Sequence, residues 1–184
     1  MSKLYKVVVL GLGGQGVLLA GRIIAEAAFQ SGLEVSLLPS HGPEVHNGPV
    51  KSEIIISSEK ILNPFINRAD YVLVFHKFRL DEANKYLDND SILLCKDFST
   101  SSDSDYIGIK VNTESISESM NNQRYSNLTM VGALNHYSEI FDDKHLGDAL
   151  KRVFIDKPYN LVNLNFKAYK LGKESQKALN SSNV

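Results

Sequence analysis

Three glycines near the start of the chain have the spacing of a diphosphate-binding turn. Gly11, Gly13 and Gly16 match the pattern G-x-G-x-x-G in the segment GLGGQG, between an apolar run at residues 6–10 and apolar residues at helical spacing. Glycines let the backbone turn tightly and approach a pyrophosphate, and the free amides at the start of the following helix meet its negative charge. The candidate ligand contacts of this turn are Gly11, Gly13, Gly14, Gln15 and Gly16.

The segment after the first helix lacks the acidic residue that a nicotinamide dinucleotide site needs. Such a site carries Asp or Glu at the end of its second strand, where the carboxylate binds the ribose hydroxyls. Here the second strand, residues 33–39, ends in SLLP, and Glu34 lies at its opposite end. A stand-alone NAD(P)-binding protein is therefore the less favoured alternative. A general phosphate site and a purely structural turn, whose glycines only let helix and strand pack closely, stay equally open.

A second candidate site follows the second strand. The segment SHGPEVHNGP, residues 40–49, holds two glycines and two prolines, which predict a loop with a fixed path. Ligands of such sheets bind beyond the carboxyl ends of the strands, so we expect this loop and the glycine turn to line one cleft. The candidate contacts of the loop and of the strand after it are Ser40, His41, Gly42, Glu44 and Lys51, and His46 adds a further acid–base group. Lys51 either pairs with a phosphate or carboxylate or is a solvated residue at a strand edge.

Alternating strands and helices must position these loops. Apolar runs predict strands at residues 6–10, 33–39, 50–57, 71–75, 91–95 and 106–111. Helical spacing predicts helices at residues 17–31, 63–69, 78–87, 128–141 and 143–154, and a last helix around residues 161–172. The predicted capping residues are Asn63, which is followed by Pro64, Asn127 and Asp143. This order predicts a single-domain, three-layer, Rossmann-like α/β fold with a mostly parallel sheet over residues 1–184. Its core should span about residues 4–174, and residues 180–184 should form a frayed tail. The first two strands should form a right-handed β-α-β unit.

Charge and hydropathy narrow the classes of function. With 20 basic and 21 acidic residues, the formal net charge is −1, which gives no electrostatic footprint for nucleic acid or an anionic membrane. The apolar runs are far shorter than the roughly 20 residues of a membrane helix. The N-terminal run leads straight into the glycine turn, so we expect a cytoplasmic protein rather than a secreted one.

Potential metal ligands are few. The single cysteine, Cys95, excludes an internal disulfide and an iron–sulfur cluster held by this chain alone. Cys95 ends the apolar run SILLC and is predicted to be buried in a strand. The five histidines include no His-x-x-x-His pair near an acidic ligand, so no metal site is predicted.

The two glycine-containing segments together resemble a known family. GLGGQGVLLAGRIIAEAA and PSHGPEVHNGPVKSEIIIS are similar to the γ subunit of 2-oxoacid:ferredoxin/acceptor oxidoreductases. The later segments INRADYVLVF, NLTMVGALNHYSEIF and NLVNLNFKAYKLGKE also resemble that subunit, so the similarity spans residues 6 to about 173. Glu44-Val45 resembles the 2-oxoglutarate branch and Pro49-Val50-Lys51 the pyruvate branch, and His46-Asn47-Gly48 stands where many members carry Arg-Gly. Of these substrates, 2-oxoglutarate is favoured.

This resemblance implies a subunit that is inactive alone. Holoenzymes of the family decarboxylate a 2-oxoacid on thiamine diphosphate, pass electrons through iron–sulfur clusters to ferredoxin or flavodoxin and transfer the acyl group to coenzyme A. The implied partners are thiamine-binding α and β subunits and a ferredoxin-like δ subunit, with no nucleic acid and no membrane. By this resemblance the chain holds no cofactor by itself, carries no catalytic residue, closes over the thiamine site and helps to seat coenzyme A.

Three alternatives stay beside this expectation. The first is a subunit of a pyruvate or branched-chain 2-oxoacid enzyme, and the second is a purely structural subunit whose glycine turn only packs against its partners. The third is the stand-alone NAD(P)-binding protein. For the isolated chain, apolar faces that await a partner also allow a homodimer.

Overall fold

The β-branched and aliphatic runs of the sequence form one six-stranded sheet. The computed structural model of the protein describes residues 3–42, 48–100, 106–121 and 125–181. Its strands are β1 (Leu4–Leu12), β2 (Glu34–His41), β3 (Pro49–Ser57), β4 (Tyr71–Val74), β5 (Ile92–Lys96) and β6 (Ile107–Val111). Its helices are α1 (Val17–Gln30), α2 (Leu80–Ala83), α3 (Thr113–Ser119), α4 (Ser126–Ser138), α5 (Asp143–Val153) and α6 (Tyr159–Ser181), with a 3₁₀ turn at Lys77–Arg79.

The strand order is β2-β3-β1-β4-β5-β6. β1, β4, β5 and β6 run parallel, whereas β3 is antiparallel to both of its neighbours, β1 and β2. Among the described strands, β3 alone therefore points the opposite way, and the predicted Rossmann-like α/β fold with a mostly parallel sheet is confirmed. β1 and β2 run parallel and are joined by α1, as predicted for a β-α-β unit, but they are not neighbours, because β3 returns as a hairpin from β2 and pairs with β1 between them.

Helices cover both faces of the sheet, but unequally. On one face α1 lies on β1, β2 and β3, and α4 lies on β4 and β5, while α5 and α6 pack outside these two helices. Helix α4 is buried on nearly all sides, as expected for a helix between a sheet and another helix. The opposite face of the sheet is covered by α2 and by residues 61–69, which pack on Val8, Leu10 and Val72.

Two glycines let α4 and α6 approach to backbone contact. A Cβ atom on Gly132 of α4 would collide with the carbonyl oxygen of Tyr169, and one on Gly172 of α6 would collide with the carbonyl oxygen of Thr129. Close approach of this kind needs residues without a side chain. Gly172 thus lies inside the last helix for packing, whereas the sequence placed it near the end of that helix.

We expect Gly172→Ala to lower the free energy of unfolding by about 2–3 kcal/mol, because the backbone of α4 must move to admit the methyl group. Gly147→Ala in α5 is the matched control, since the nearest heavy atom to its new Cβ would be Phe166 Cε2 at 3.8 Å, an ordinary contact. That substitution should raise the free energy of unfolding by up to about 1 kcal/mol. Urea unfolding of the two variants measures both, and equal effects would contradict the packing role of Gly172.

A polar network joins α4, α5 and α6. The Asp143 carboxylate accepts hydrogen bonds from Tyr169 Oη at 2.8 Å and Lys173 Nζ at 2.9 Å, and Lys170 Nζ lies 2.6 Å from it. Asn135 Nδ2 of α4 donates to the same Tyr169 hydroxyl at 2.8 Å. Burial by itself raises the pKa of Asp143, but the hydrogen bonds from Lys170, Lys173 and Tyr169 hold it well below its usual value.

The lowered pKa predicts a loss of stability in acid. The folded-state pKa lies below the unfolded value of about 3.9, so the contribution of Asp143 is present at neutral pH and is lost as the pH falls below about 4. Asp143→Asn should cost about 1 kcal/mol at pH 7, allowing for solvent screening of a partly exposed carboxylate, and less at about pH 3. Urea midpoints at both pH values test this.

Asp148→Asn is the matched control, because Asp148 pairs with Lys151 on the exposed side of α5. It should change the urea midpoint little at either pH. A cost of Asp143→Asn that stays the same from pH 7 to pH 3 would show that the charge of Asp143 does not stabilise the fold.

Several predicted helix boundaries are wrong. Residues 63–69 are not helical, because the Asn63 side chain accepts a hydrogen bond from Phe65 N at 3.0 Å and closes a local turn instead. The helix predicted at residues 78–87 is reduced to the 3₁₀ turn and α2. The positions before α4 and α5 are Tyr125 and Asp142, where the sequence favoured Asn127 and Asp143 as caps.

The last helix is longer than predicted. The frayed tail was predicted from residue 180, whereas α6 continues through Ser181, and residues 182–184 lie outside the described part. Within the described ranges, no helix combines the length and the apolar character needed to cross a bilayer.

Candidate functional site

The glycine turn joins β1 to α1 at the carboxyl edge of the parallel strands. Gly14 and Gly16 have φ values of 86° and 78°, in the left-handed region that glycine adopts without strain. A Cβ on Gly11 would lie 2.6 Å from Val17 Cγ2, and one on Gly16 would lie 2.6 Å from Asn127 Nδ2. A Cβ on Gly14 would meet no atom within 4 Å. Packing therefore requires glycine at positions 11 and 16, whereas the space above Gly14 is open.

Gln15 holds the turn closed from inside. Its side-chain Oε1 accepts a hydrogen bond from Leu12 N at 2.8 Å, and its own backbone N donates to Leu12 O at 3.2 Å. The Gln15 side chain thus supplies a hydrogen-bond acceptor for Leu12 N, at the end of β1 where the tight turn begins. A ligand contact from Gln15 would have to come from its amide nitrogen.

The hairpin loop between β2 and β3 touches the glycine turn. Gly13 N donates to Gly48 O at 2.9 Å, and Gly42 N donates to Pro49 O at 2.8 Å. The two loops therefore meet at one edge of the sheet, because β3 is inserted beside β1, whereas the ligand cleft between them stays a prediction. Glu44 and His46 lie outside the described residues, so their predicted roles stay predictions.

Ser40 and His41 are exposed at the end of β2, the edge strand. His41 Nδ1 lies 3.4 Å from Gly42 O, at the limit of a hydrogen bond. Because β3 lies between β2 and β1, Ser40 and His41 lie two strands away from β1 and its glycine turn, whereas the sequence suggested neighbouring strands. Their ligand contacts stay predictions.

Lys51 lies within β3, opposite Leu10 of β1, and its ammonium group contacts two side chains of this protein, Tyr86 and Glu53. It pairs with Leu10 in the β1–β3 register, which places its side chain on the face of the sheet covered by α2. Its Nζ donates to Tyr86 Oη at 2.8 Å and lies 3.0 Å from Glu53 Oε2. Burial by itself lowers the pKa of Lys51, but the hydrogen bonds with Tyr86 and Glu53 raise it above the ordinary value. The lysine is charged, 20% exposed and used to hold Tyr86 on the sheet.

A double-mutant cycle tests whether Lys51 is a structural residue. We expect Lys51→Met and Glu53→Gln each to destabilise the isolated chain, and the double variant to be more stable than the sum of the single changes by about 1 kcal/mol. The exposed pair Lys151 and Asp148 serves as the control cycle and should be additive. Urea unfolding gives the energies, and additivity at Lys51 and Glu53 would show that the pair contributes nothing to the fold.

Two segments at the same edge were not identified from the sequence. Asn127, 3% exposed in the first turn of α4, packs on Gly16, so the starts of α1 and α4 meet at the turn. The segment HKFR, residues 76–79, leaves β4 beside β1, because Phe75 N donates to Leu10 O at 2.8 Å. The clue to the second segment was a run of basic and aromatic residues directly after a buried strand. The contact of Asn127 depends on tertiary packing and had no such signal.

The remaining candidate for chemistry, Cys95, is a core residue. It lies in β5, buried as predicted, and burial raises the pKa of its thiol to about 12. It is therefore protonated and unreactive at neutral pH. Across the described ranges, no group of three or more His, Cys, Asp and Glu side chains is placed to hold a metal ion.

Comparisons with known proteins support the fold and show the family. Residues 6–175 match the family described as pyruvate ferredoxin/flavodoxin oxidoreductase. The KorC subunit of 2-oxoglutarate synthase from Archaeoglobus fulgidus is 30% identical over 166 residues, which cover 90% of this chain and 84% of KorC. The γ subunit of a keto/oxoacid ferredoxin oxidoreductase from Geobacter sulfurreducens is 26% identical, with a TM-score of 0.78 over 95% of this chain and 99% of that chain.

A longer chain contains the same fold. The 2-oxoglutarate:ferredoxin oxidoreductase from Magnetococcus marinus, solved with 2-oxoglutarate, coenzyme A and succinyl-CoA bound, has a TM-score of 0.84 at 23% identity. The match covers 96% of this chain but 31% of that one. In that enzyme the fold is therefore one part of a longer polypeptide.

Together the fold and the site define a Rossmann-like α/β chain in which a glycine turn and a hairpin loop meet at one edge of the sheet. The chain belongs to the pyruvate ferredoxin/flavodoxin oxidoreductase family. The resemblance to γ subunits of 2-oxoacid oxidoreductases, and with it the expected class of oxidoreductase subunit acting on oxo groups, is confirmed. Which residues touch a ligand stays a prediction.

Proposed function

We propose that this chain is the γ subunit of a multi-subunit 2-oxoacid:ferredoxin oxidoreductase that acts on 2-oxoglutarate in the cytoplasm. The observation that carries the proposal is the similarity to KorC of 2-oxoglutarate synthase over 90% of the chain. In this enzyme the chain assembles with thiamine diphosphate-binding α and β subunits and a ferredoxin-like δ subunit, and ferredoxin or flavodoxin accepts the electrons. Pyruvate is the alternative substrate, because the family description names it.

The redox chemistry belongs to the partner subunits in this proposal. Thiamine diphosphate and iron–sulfur clusters supply decarboxylation and electron transfer when bound. The single cysteine of this chain is buried and protonated, so it fits no cluster. The task left to the chain is to bind and orient coenzyme A at the edge where the glycine turn and the hairpin loop meet.

The glycine turn suits the diphosphate of coenzyme A. The backbone amides of Gly13 and Gln15 already donate within the protein. The first amides of any α-helix lack intrahelical acceptors, so those at the start of α1 can meet a phosphate that lies over Gly14. The open space at Gly14 gives that phosphate room.

The position of β2 disfavours a nicotinamide dinucleotide. In the Rossmann arrangement, the strand that follows the first helix lies next to the first strand and brings its acidic residue to the ribose. Here β3 occupies that place, and β2 is the edge strand. The ribose-binding position is therefore missing in the topology as well as in the sequence.

One observation supports the alternative, in which the glycine turn has only a structural role. Positions 11 and 16 must be glycine for packing alone, whatever the ligand, because a Cβ there would collide with Val17 or Asn127. Gly14 has no such neighbour, so substitutions at this position separate ligand binding from packing.

Gly14→Asp in the assembled enzyme tests the coenzyme A role. The new carboxylate would face the diphosphate, and we expect the Kd for coenzyme A to rise at least tenfold, which corresponds to about 1.4 kcal/mol. Gly32→Asp is the matched control, because Gly32 has a φ of 83°, no atom within 4 Å of its Cβ position and a place beyond the far end of α1. Calorimetric titration of coenzyme A into both complexes measures the difference.

Equal affinity of the two complexes for coenzyme A would remove the ligand role of the turn and leave the structural one.

Purification of the chain from its native cell tests the subunit assignment separately. Co-purification with a thiamine-dependent pair and a small ferredoxin-like protein is expected, and assays of that complex with 2-oxoglutarate and pyruvate decide between the two substrates. A chain that purifies alone, folded and monomeric, would contradict the assignment.

A further inference from the structure

We infer that the segment His76–Arg79, named here the β4 segment, is a second part of the coenzyme A site and binds the adenine nucleotide half. This inference rests on the proposed function and names a binding element for it. β4 runs parallel to β1 and is its direct neighbour, with Val74 opposite Leu10 in the register. Because neighbouring strands lie about 4.8 Å apart, the glycine turn and the β4 segment leave the sheet side by side.

Phe78 presents an aromatic ring at this edge. Its side chain is 75% exposed, although residues 72–74 of the preceding strand are fully buried. The ring of His76 lies 4.8 Å from that of Phe78, measured between centroids, and Lys77 Nζ lies 5.8 Å from the Phe78 centroid. An exposed ring with a lysine beside it is an arrangement that proteins use to stack a nucleotide base while contacting its phosphates.

Arg79 supplies an independent observation. It is 8% exposed, its Nη2 lies 2.5 Å from Glu82 Oε2, and its Nε is buried without a hydrogen-bond partner. A buried guanidinium donor without a partner is unfavourable, and an anion at the segment would remove that penalty. Arg79 and Lys77 together point to a phosphorylated ligand.

Coenzyme A has the matching chemistry. Its nucleotide half is an adenosine with a 3′-phosphate and a 5′-diphosphate, and its other half is the uncharged pantetheine arm that carries the thiol. With the diphosphate over Gly14, the base stacks on Phe78 and the phosphates meet the basic side chains of the β4 segment. The pantetheine arm then extends away from this chain, toward the partner subunits.

Variants of the assembled enzyme test the inference. Phe78→Ala should weaken binding of coenzyme A and of adenosine 3′,5′-bisphosphate about tenfold, the loss typical of one base–aromatic stack. Lys77→Gln should weaken both and make their affinity less sensitive to salt, because one charge contact is lost. The kcat/KM for pantetheine, which lacks the nucleotide, should stay unchanged in both variants.

Phe65→Ala and Lys60→Gln are the matched controls. Phe65 is 67% exposed and Lys60 is exposed, and both lie in the connection between β3 and β4 at the opposite edge of the sheet. They should bind coenzyme A as the wild type does. If Phe78→Ala and Phe65→Ala bind coenzyme A and adenosine 3′,5′-bisphosphate equally well, the β4 segment is not a nucleotide site.

Three more outcomes would overturn the inference. If Phe78→Ala prevents assembly while Lys77→Gln leaves coenzyme A binding and its salt dependence unchanged, the segment contacts a partner subunit instead. If Gly14→Asp weakens coenzyme A binding and neither variant of the β4 segment does, the proposed function stands and this inference alone fails. If none of the three changes alters binding, both fail.

Discussion

The insertion of β3 between β1 and β2 is the constraint on which the rest of the site depends. As an antiparallel strand, β3 begins at the edge where the parallel strands end, so the hairpin loop before it reaches the glycine turn. The hydrogen bond from Gly13 N to Gly48 O joins the two loops directly. The same insertion moves β2 to the edge of the sheet and removes the position from which a nicotinamide site would bind ribose. One change in strand order thus brings the two loops together and disfavours a nicotinamide dinucleotide as the ligand.

The helices packed on the α1 face of the sheet hold the start of α4 against the glycine turn. Gly132 and Gly172 bring the backbones of α4 and α6 together, and the Asp143 network ties both helices to α5. Helix α4 is therefore held along its length, and its first turn places Asn127 against Gly16. The glycine turn lies between a rigid helix on one side and the β4 segment on the other. A ligand at this edge would meet preorganised groups, which lowers the entropy lost on binding.

The sequence predicted what short-range patterns encode. The period of β1 and α1, the glycine turn between them and the burial of Cys95 follow from residues close in the chain, and all agree with the structure. Strand order does not follow from such patterns, because the apolar run of β3 predicts a strand but does not indicate which strands lie beside it. The partner of Lys51, Tyr86, is 35 residues away, and its contact exists only after α2 folds onto the sheet. Asn63-Pro64 shows the opposite error, since a good helix-start pattern closed a turn instead.

The glycine motif itself carries two separate requirements. Gly11 and Gly16, two of the three glycines that define the pattern, are required by contacts with Val17 and Asn127, so their presence says nothing about a ligand. Gly14 lies outside the pattern, touches nothing at its Cβ position and is needed only for its left-handed backbone. A turn of this kind is therefore a packing device to which a phosphate site can be added at little structural cost. If the turn holds a ligand, its specificity must come from groups around the turn rather than from the glycines.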